Sequence, residues 1–226
     1  MFGLKNENNK VTQLSSSKIE IVQNRGSLLR AKIREFLCAG EYACQDKNLL
    51  LMAYVDIALE HHEAIQRLIK SRLYGSGFAL TRSLFDAVFR ALWINACATE
   101  KQIQEVASRD DAKFPCMSQM VAMIDQRYST DKFFTSIKKR SWAAMCSYTH
   151  SGLLQITRRF TGDEVKPNYH DGEILEVLNA TNIAVILVSR MFFMSVGRQH
   201  EADEVEKMMA EYVMPEQRSD QQESCS

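Results

Sequence analysis

The chain is short of helix breakers, with three prolines and nine glycines among 226 residues. Long stretches run without a residue that would force a turn, which favours helices. Strict apolar–polar alternation of the strand type is absent, and so is any internal repeat, which argues against sheet-based and solenoid architectures. Neither sign of charge is in excess, since 28 basic residues face 28 acidic ones. No overall field draws nucleic acid or an anionic membrane, so contact of that kind has to come from a local patch. The most apolar segment, "IAVILVSRMFFMSV" at 183–196, is interrupted by Arg190 and falls short of the ~20 residues a bilayer needs. It reads as a buried helix, and no membrane association is expected.

Cysteine occurs six times but never as a CxxC pair. The opening "MFGLKNENNK" has no apolar core of the secretory kind. The cysteines therefore read as reduced, mostly buried thiols of a cytoplasmic protein. Zinc binding is the alternative use of such residues, and the spacing does not favour it. No metal and no other cofactor is expected.

What is present is ordinary globular material, 46% apolar and 25% charged, in a length that can bury a full core. Residues 1–14 read as a flexible lead-in, and 215–226, from Pro215 onward, as a disordered tail. Between them, 15–214 reads as one all-α domain, a single bundle of about six to eight helices. Capping boxes at Ser17–Glu20 and Thr99–Gln102 mark two helix starts. Gly40 suits a stop, Gly75-Ser76-Gly77 a turn, and Pro115 the first turn of a further helix ending near Tyr128. The spacing predicts helices over 46–73, 78–98, 173–196 and 199–213. It also predicts a long one from 129 to about 160, bent at Gly152, before the loop "TGDEVKPNYHDG". Helix 78–98 is apolar nearly all round, which puts it at the centre with Phe89 and Trp93 buried.

On that central helix Arg82, Asp86 and Arg90 fall within an arc of about 80°. The stripe is either an i,i+4 ion-pair ladder or a guanidinium seat for a phosphate or carboxylate. On helix 46–73, Leu50, Tyr54, Ile57, Ile65 and Leu68 define an apolar side that carries His61, with His62 at its exposed edge. Asp56, Glu60, Glu63, Arg67 and Lys70 share a solvated, salt-bridged face, a carboxylate metal site made from Asp56, Glu60 and Glu63 being the remote alternative. The other polar cluster is "SYTHSG", 147–152. In a continuous helix Ser147 and His150 lie one turn apart, Ser147 and Ser151 share a face, and Gly152 admits a ligand or a neighbouring backbone. Histidine is the side chain that trades protons near neutrality, so His150 is a candidate acid or base. A structural knot between helices explains the small residues equally well. Isolated buried charges are costly, so the two polar groups are expected to meet, with His150 in hydrogen-bond reach of the Arg82–Asp86–Arg90 helix.

The blocks "TRSLFDAVFRALWI" and "SYTHSG" resemble a group of bacterial helical proteins similar to the HEPN superfamily, over roughly residues 45–200. Many of that superfamily are ribonucleases of toxin–antitoxin and antiphage systems. The resemblance implies a metal-independent ribonuclease in which His150 deprotonates a ribose 2′-hydroxyl. Arg82 or Arg90 would stabilise the phosphoryl oxygens and Asp86 would orient the arginine. Ser147, Tyr148, Ser151 and His61 would line the substrate site. It also implies a homodimer with the site at a twofold interface, and a cognate partner protein. The family's nuclease motif places an arginine shortly before its histidine. Here Arg140 stands ten residues upstream of His150, about 15 Å along a helix, so the arginine must come from another helix. Self-association is expected also from "MFFM" at 191–194 and from Met208 and Met209. Two other readings remain: a non-enzymatic interaction module with a structural polar centre, and a small-ligand or nucleotide sensor that uses the arginine stripe.

Overall fold

The computed structural model describes the backbone of residues 4–42 and 46–212, and side chains from 17 to 209. Among the described residues nine helices and one small hairpin follow in order. They are α1 (Leu4–Cys38), α2 (Asp46–Lys70), α3 (Tyr74–Ala96), α4 (Glu100–Ser108), α5 (Met117–Tyr128) and α6 (Phe133–Thr149). Then come α7 (Leu153–Thr157), β1 (Phe160–Thr161), β2 (Glu164–Val165), α8 (Asp171–Ser195) and α9 (Gln199–Tyr212). The fold is an all-α bundle. The tail read as disordered, 215–226, lies outside the described residues.

Helix α3 is the axle, with α2, α5, α6 and α8 packed around it. Apolar residues on nearly every side leave it only the partly exposed stripe of Arg82, Asp86 and Arg90, and neighbours cover the rest. Phe89 and Trp93 are each 1% exposed. Helix α8 is long and apolar enough to cross a bilayer by composition, but α1, α2, α3 and α9 pack against it. Its Arg190 reaches out to Glu206 at 2.9 Å. The "MFFM" stretch expected at an interface is mostly internal: Met191, Phe192 and Phe193 are buried and only Met194 is exposed. Met208 and Met209 also lie against the core.

Several local expectations are corrected. Helix α1 is already under way at Ser17, so the capping box read there sits inside it, whereas the Thr99–Gln102 box forms and starts α4. Pro115 lies ahead of the N-cap Cys116 rather than in the first turn of α5. Gly75-Ser76-Gly77 is not the turn between α2 and α3. Ser71–Leu73 makes that turn, with Arg72 in the left-handed region at φ 59°. A Cβ on Gly77 would meet Ile69 at 3.3 Å and the Ile65 carbonyl at 3.7 Å, so this glycine serves the close approach of α3 to α2. The buried face of α2 is also rotated from the one predicted. Leu51, Val55, Leu59, His62 and Gln66 point inward, while Ile57 is 41% exposed. Two of the acidic side chains of α2 are salt-bridged, Glu63 to Arg67 and Arg30, and Asp56 to Arg34. Among the described cysteines Cys38 and Cys116 are exposed and Cys97 and Cys146 half-buried, not mostly buried as expected, while Cys44 and Cys225 lie outside the described residues. The predicted loop after 160 contains the two-residue strands of the hairpin.

Candidate functional site

Helix α6 brings "SYTHSG" to α3, and it is fixed at both ends. At its start the Asp125 carboxylate accepts from the Phe134 amide at 2.9 Å, the Thr135 amide at 2.8 Å and the Thr130 hydroxyl at 2.6 Å. Burial pushes that carboxyl up, but these hydrogen bonds win and hold it below the usual carboxylate range. At the other end Thr149 donates to the Met145 carbonyl (2.9 Å) and lies 3.1 Å from that of Ala79 on α3.

The helix does not run on through Gly152 with a bend, as predicted; it stops at Thr149. His150 is the C-cap, Ser151 turns left-handed at φ 52°, and the Gly152 amide reaches back to the Ser147 carbonyl at 2.7 Å. That is a Schellman closure, in which a left-handed residue past the cap lets the next amide satisfy a carbonyl of the last turn. Glycine is needed at 152 because a Cβ there would sit 2.6 Å from Ser147 Oγ. Ser147 Oγ accepts from the Leu154 amide at 3.1 Å and so starts α7. Most of the hydroxyls in the cluster thus belong to the turn, and Ser147 and Ser151 do not share a helix face.

The residue that the turn leaves free is His150, which is exposed. Its Nε2 lies 2.5 Å from Nη1 of Arg82. A guanidinium can only donate, so Nε2 is the acceptor and the neutral ring carries its proton on Nδ1. Asp86 Oδ2 stands 3.7 Å from Arg82 Nε, one turn along α3. The Arg82 guanidinium also lies over the Trp142 ring, 5.3 Å from its centroid. The Asp86 carboxyl is pushed above its ordinary value by burial, with Arg90 and Arg82 acting in the opposite sense. The expected meeting of His150 with the α3 stripe is therefore present, but at the surface: the Arg82 and Asp86 side chains are 25% and 31% exposed.

The other predicted site residues go elsewhere. Arg90, two turns and about 12 Å further along α3, lies over Phe114 at 4.5 Å from the ring centroid. Tyr148 packs edge-on to Phe78 at 5.1 Å and bonds Arg158, which in turn pairs with Glu173. Ser151 is exposed in the turn. His61 is half-buried on α2. Its neighbour His62, expected at the surface, is fully buried.

His62 belongs to a second polar centre that the sequence reading missed. Its Nε2 bonds Asn182 Oδ1 of α8 at 2.7 Å, and Gln66 Nε2 approaches the same oxygen at 3.4 Å. Gln23 of α1 donates to the Gln66 carbonyl at 3.1 Å. Burial drives the His62 pKa from 6.5 down to about 4, against the raising effect of the Asn182 bond. The sequence signal available was the i,i+4 pair His62 and Gln66, in register with Val55 and Leu59.

No curated protein and no solved structure matches the chain. The chain belongs to a family of unknown function, DUF6988, whose model matches residues 55–215 and so takes in both polar centres.

Proposed function

We propose that this protein binds RNA at the Arg82–Asp86–His150 centre and cleaves it as a metal-independent, HEPN-like ribonuclease of bacterial defence or growth control. The observation that carries the reading is the 2.5 Å contact between Arg82 and His150 on an accessible surface. It joins a proton acceptor to a fixed cation, and transphosphorylation of RNA requires that pair. A ribose 2′-hydroxyl takes the place of Arg82 at His150 Nε2 and gives up its proton there. The 2′-oxygen bonds to phosphorus, and the P–O5′ bond breaks. The 5′-oxygen takes a proton from water, leaving a 2′,3′-cyclic phosphate. Arg82, released toward the phosphate, neutralises the developing charge on its oxygens, and Asp86 keeps the guanidinium aligned. Balanced overall charge favours a short or flexible RNA segment.

Pairing into a homodimer is part of the same proposal, now on different grounds from "MFFM". Leu153 is 73% exposed, Leu154 46% and Ile156 49%, all in α7, directly after His150. An isologous twofold over this row would bring two copies of the site together. A cognate partner protein could cover the same row. The decisive experiment expresses wild type, His150→Ala and Arg82→Ala in a bacterial host and follows total RNA and purified-protein cleavage. Loss of cleavage by about 10²–10⁴-fold in both variants is expected. Wild-type protein that leaves RNA intact would favour a non-enzymatic interaction module.

A further inference from the structure

Where α2 and α3 meet the end of α4 and the loop after it, a cleft of about 520 Å³ opens to the surface, within the range of small-molecule sites. Its lining includes Tyr54 of α2, Arg90 of α3, and Asp110 and Phe114 of the loop. Arg90 ends the α3 stripe, and its guanidinium lies over the Phe114 ring at 4.5 Å from the centroid. It makes no ion pair or hydrogen bond among the described residues, and Asp86, one turn back, pairs with Arg82. The Tyr54 hydroxyl is likewise unbonded among the described residues. Neither group is sealed inside, so both are open to a molecule entering the cleft.

The loop offers two neighbouring carboxylates and commits only one of them. Asp111 takes the Arg109 guanidinium on both oxygens, at 2.9 and 2.8 Å. Asp110, in the turn between them, is exposed and has no partner among the described residues. With Asp110 in the lining and Asp86 one turn back along α3, Arg90 is not an excess cation, so the cleft is no phosphate seat. What it fits is a neutral flat ring with N–H groups on its edge. An arginine laid on an aromatic ring is a stacking plate for a nucleobase. A carboxylate only accepts, and its two oxygens match two adjacent donors. Among the RNA bases guanine alone has such a pair on its Watson–Crick edge, N1–H and the 2-amino group.

We infer that this cleft receives a guanine base of the single-stranded RNA proposed above as substrate. The ring lies against the Arg90–Phe114 pair, N1–H and the 2-amino group donate to Asp110, and the Tyr54 hydroxyl is the donor left for O6. The inference rests on the RNA reading of the Arg82–His150 centre and gives that centre a sequence preference. Arg90 stands about 12 Å along α3 from Arg82, so one end of the stripe reads a base and the other cuts at a fixed distance from it.

Fluorescence anisotropy of the full chain carrying His150→Ala tests it, with labelled single-stranded RNAs that differ at one base: guanine, hypoxanthine, adenine or uracil. The guanine strand is expected to bind tighter than the adenine and uracil strands by about tenfold or more. Hypoxanthine lacks the 2-amino group and is expected to fall between them. Asp110→Asn lies in an exposed turn and is expected to remove the preference while binding persists. Arg90→Met is expected to weaken the guanine strand most. Free GMP is expected to compete poorly, because only the strand also reaches Arg82. Equal binding of all strands would overturn the guanine assignment and leave the RNA reading standing, as would a preference that Asp110→Asn leaves unchanged. GMP that competes as well as the guanine strand would overturn the link to the Arg82–His150 centre. No binding of any strand, with no cleavage by wild type, would overturn both readings.

Discussion

The two polar centres of this bundle are built from the same kind of residue and end in opposite states. In both, a neutral histidine uses its Nε2 within a cluster from two helices. His62 donates from Nε2 to Asn182 in the sealed space between α2 and α8, whereas exposed His150 accepts at Nε2 from Arg82. The tautomers are therefore opposite. Burial decides the rest. Around His62 the cost of desolvation fixes one arrangement and suppresses protonation. Around His150 the ring is exposed and its Nε2 is held by Arg82 alone. His62 is thus tied into the packing of α2 and α8, whereas His150 at the α6 C-cap is tied only to a half-exposed arginine.

The largest effect is expected where the surface centre rests on the core. Phe89 packs edge-on to Phe134 and tilted to Trp142, at 6.2 and 6.5 Å between centroids, and Trp142 carries the Arg82 guanidinium. Phe89→Ala is expected to cost about 3–5 kcal/mol, read as a lower urea midpoint at unchanged slope. It is also expected to lower RNA cleavage, while the acid sensitivity due to His62 persists.

That acid sensitivity is the next largest effect. Folded His62 has a pKa of about 4 against 6.5 for the free side chain, so between these values the unfolded chain binds a proton that the folded chain refuses. Stability rises with pH across this window. The His62 contribution is complete above the unfolded value and is lost progressively as pH falls to about 4, roughly 3 kcal/mol in all. His62→Leu is expected to flatten the slope between pH 6.5 and 4 in urea titrations, and an unchanged slope would deny His62 its role.

The contrast also shows what a single sequence can reveal. The helices were legible because breakers are rare and apolar residues recur with helical period, and α3 was identifiable as central from its lack of a polar face. The stripe Arg82–Asp86 and the partner His150 could be named from spacing and from the cost of leaving charges alone. The depth of that centre could not. Whether a half-polar stripe faces a neighbour or water depends on where α6 ends, and that is set by a serine in the left-handed region at 151. The buried centre was misread for a related reason. Ile57 and His62 lie near the two boundaries of the α2 apolar arc, and a rotation of less than one residue exchanges which of them is buried. Gln66 and Asn182, far apart in sequence, give no sign that they will meet His62.

The left-handed serine supplies a smaller effect of the opposite sign. Non-glycine residues there carry a cost of about 1–2 kcal/mol, part of which glycine avoids, offset by its greater freedom in the unfolded chain. Ser151→Gly is expected to stabilise the fold by up to about 1 kcal/mol, measured by thermal melting, and to leave the turn that presents His150 intact. Cleavage is expected to be retained. A loss of cleavage with a gain in stability would instead give the Ser151 hydroxyl a direct part in substrate binding.

The smallest effect on stability is expected at His150, and it separates the two centres most sharply. The imidazole is exposed, and its removal returns Arg82 to water and to Asp86, so His150→Ala is expected to change stability by no more than about 0.5 kcal/mol. Activity on RNA is expected to vanish with it. His62→Ala has the reverse pattern, because it strands Asn182 and Gln66 in a dry interior and is expected to cost about 1–3 kcal/mol while sparing the Arg82–His150 contact. Arg82→Lys refines the reading from the α3 side. A lysine keeps the charge but loses the planar fork that spans His150 and Asp86, so reduced cleavage at wild-type stability is expected. Matched melting and cleavage data on these three variants therefore test whether chemistry and architecture are divided between the two histidines. Equal destabilisation by His62→Ala and His150→Ala would show that they are not.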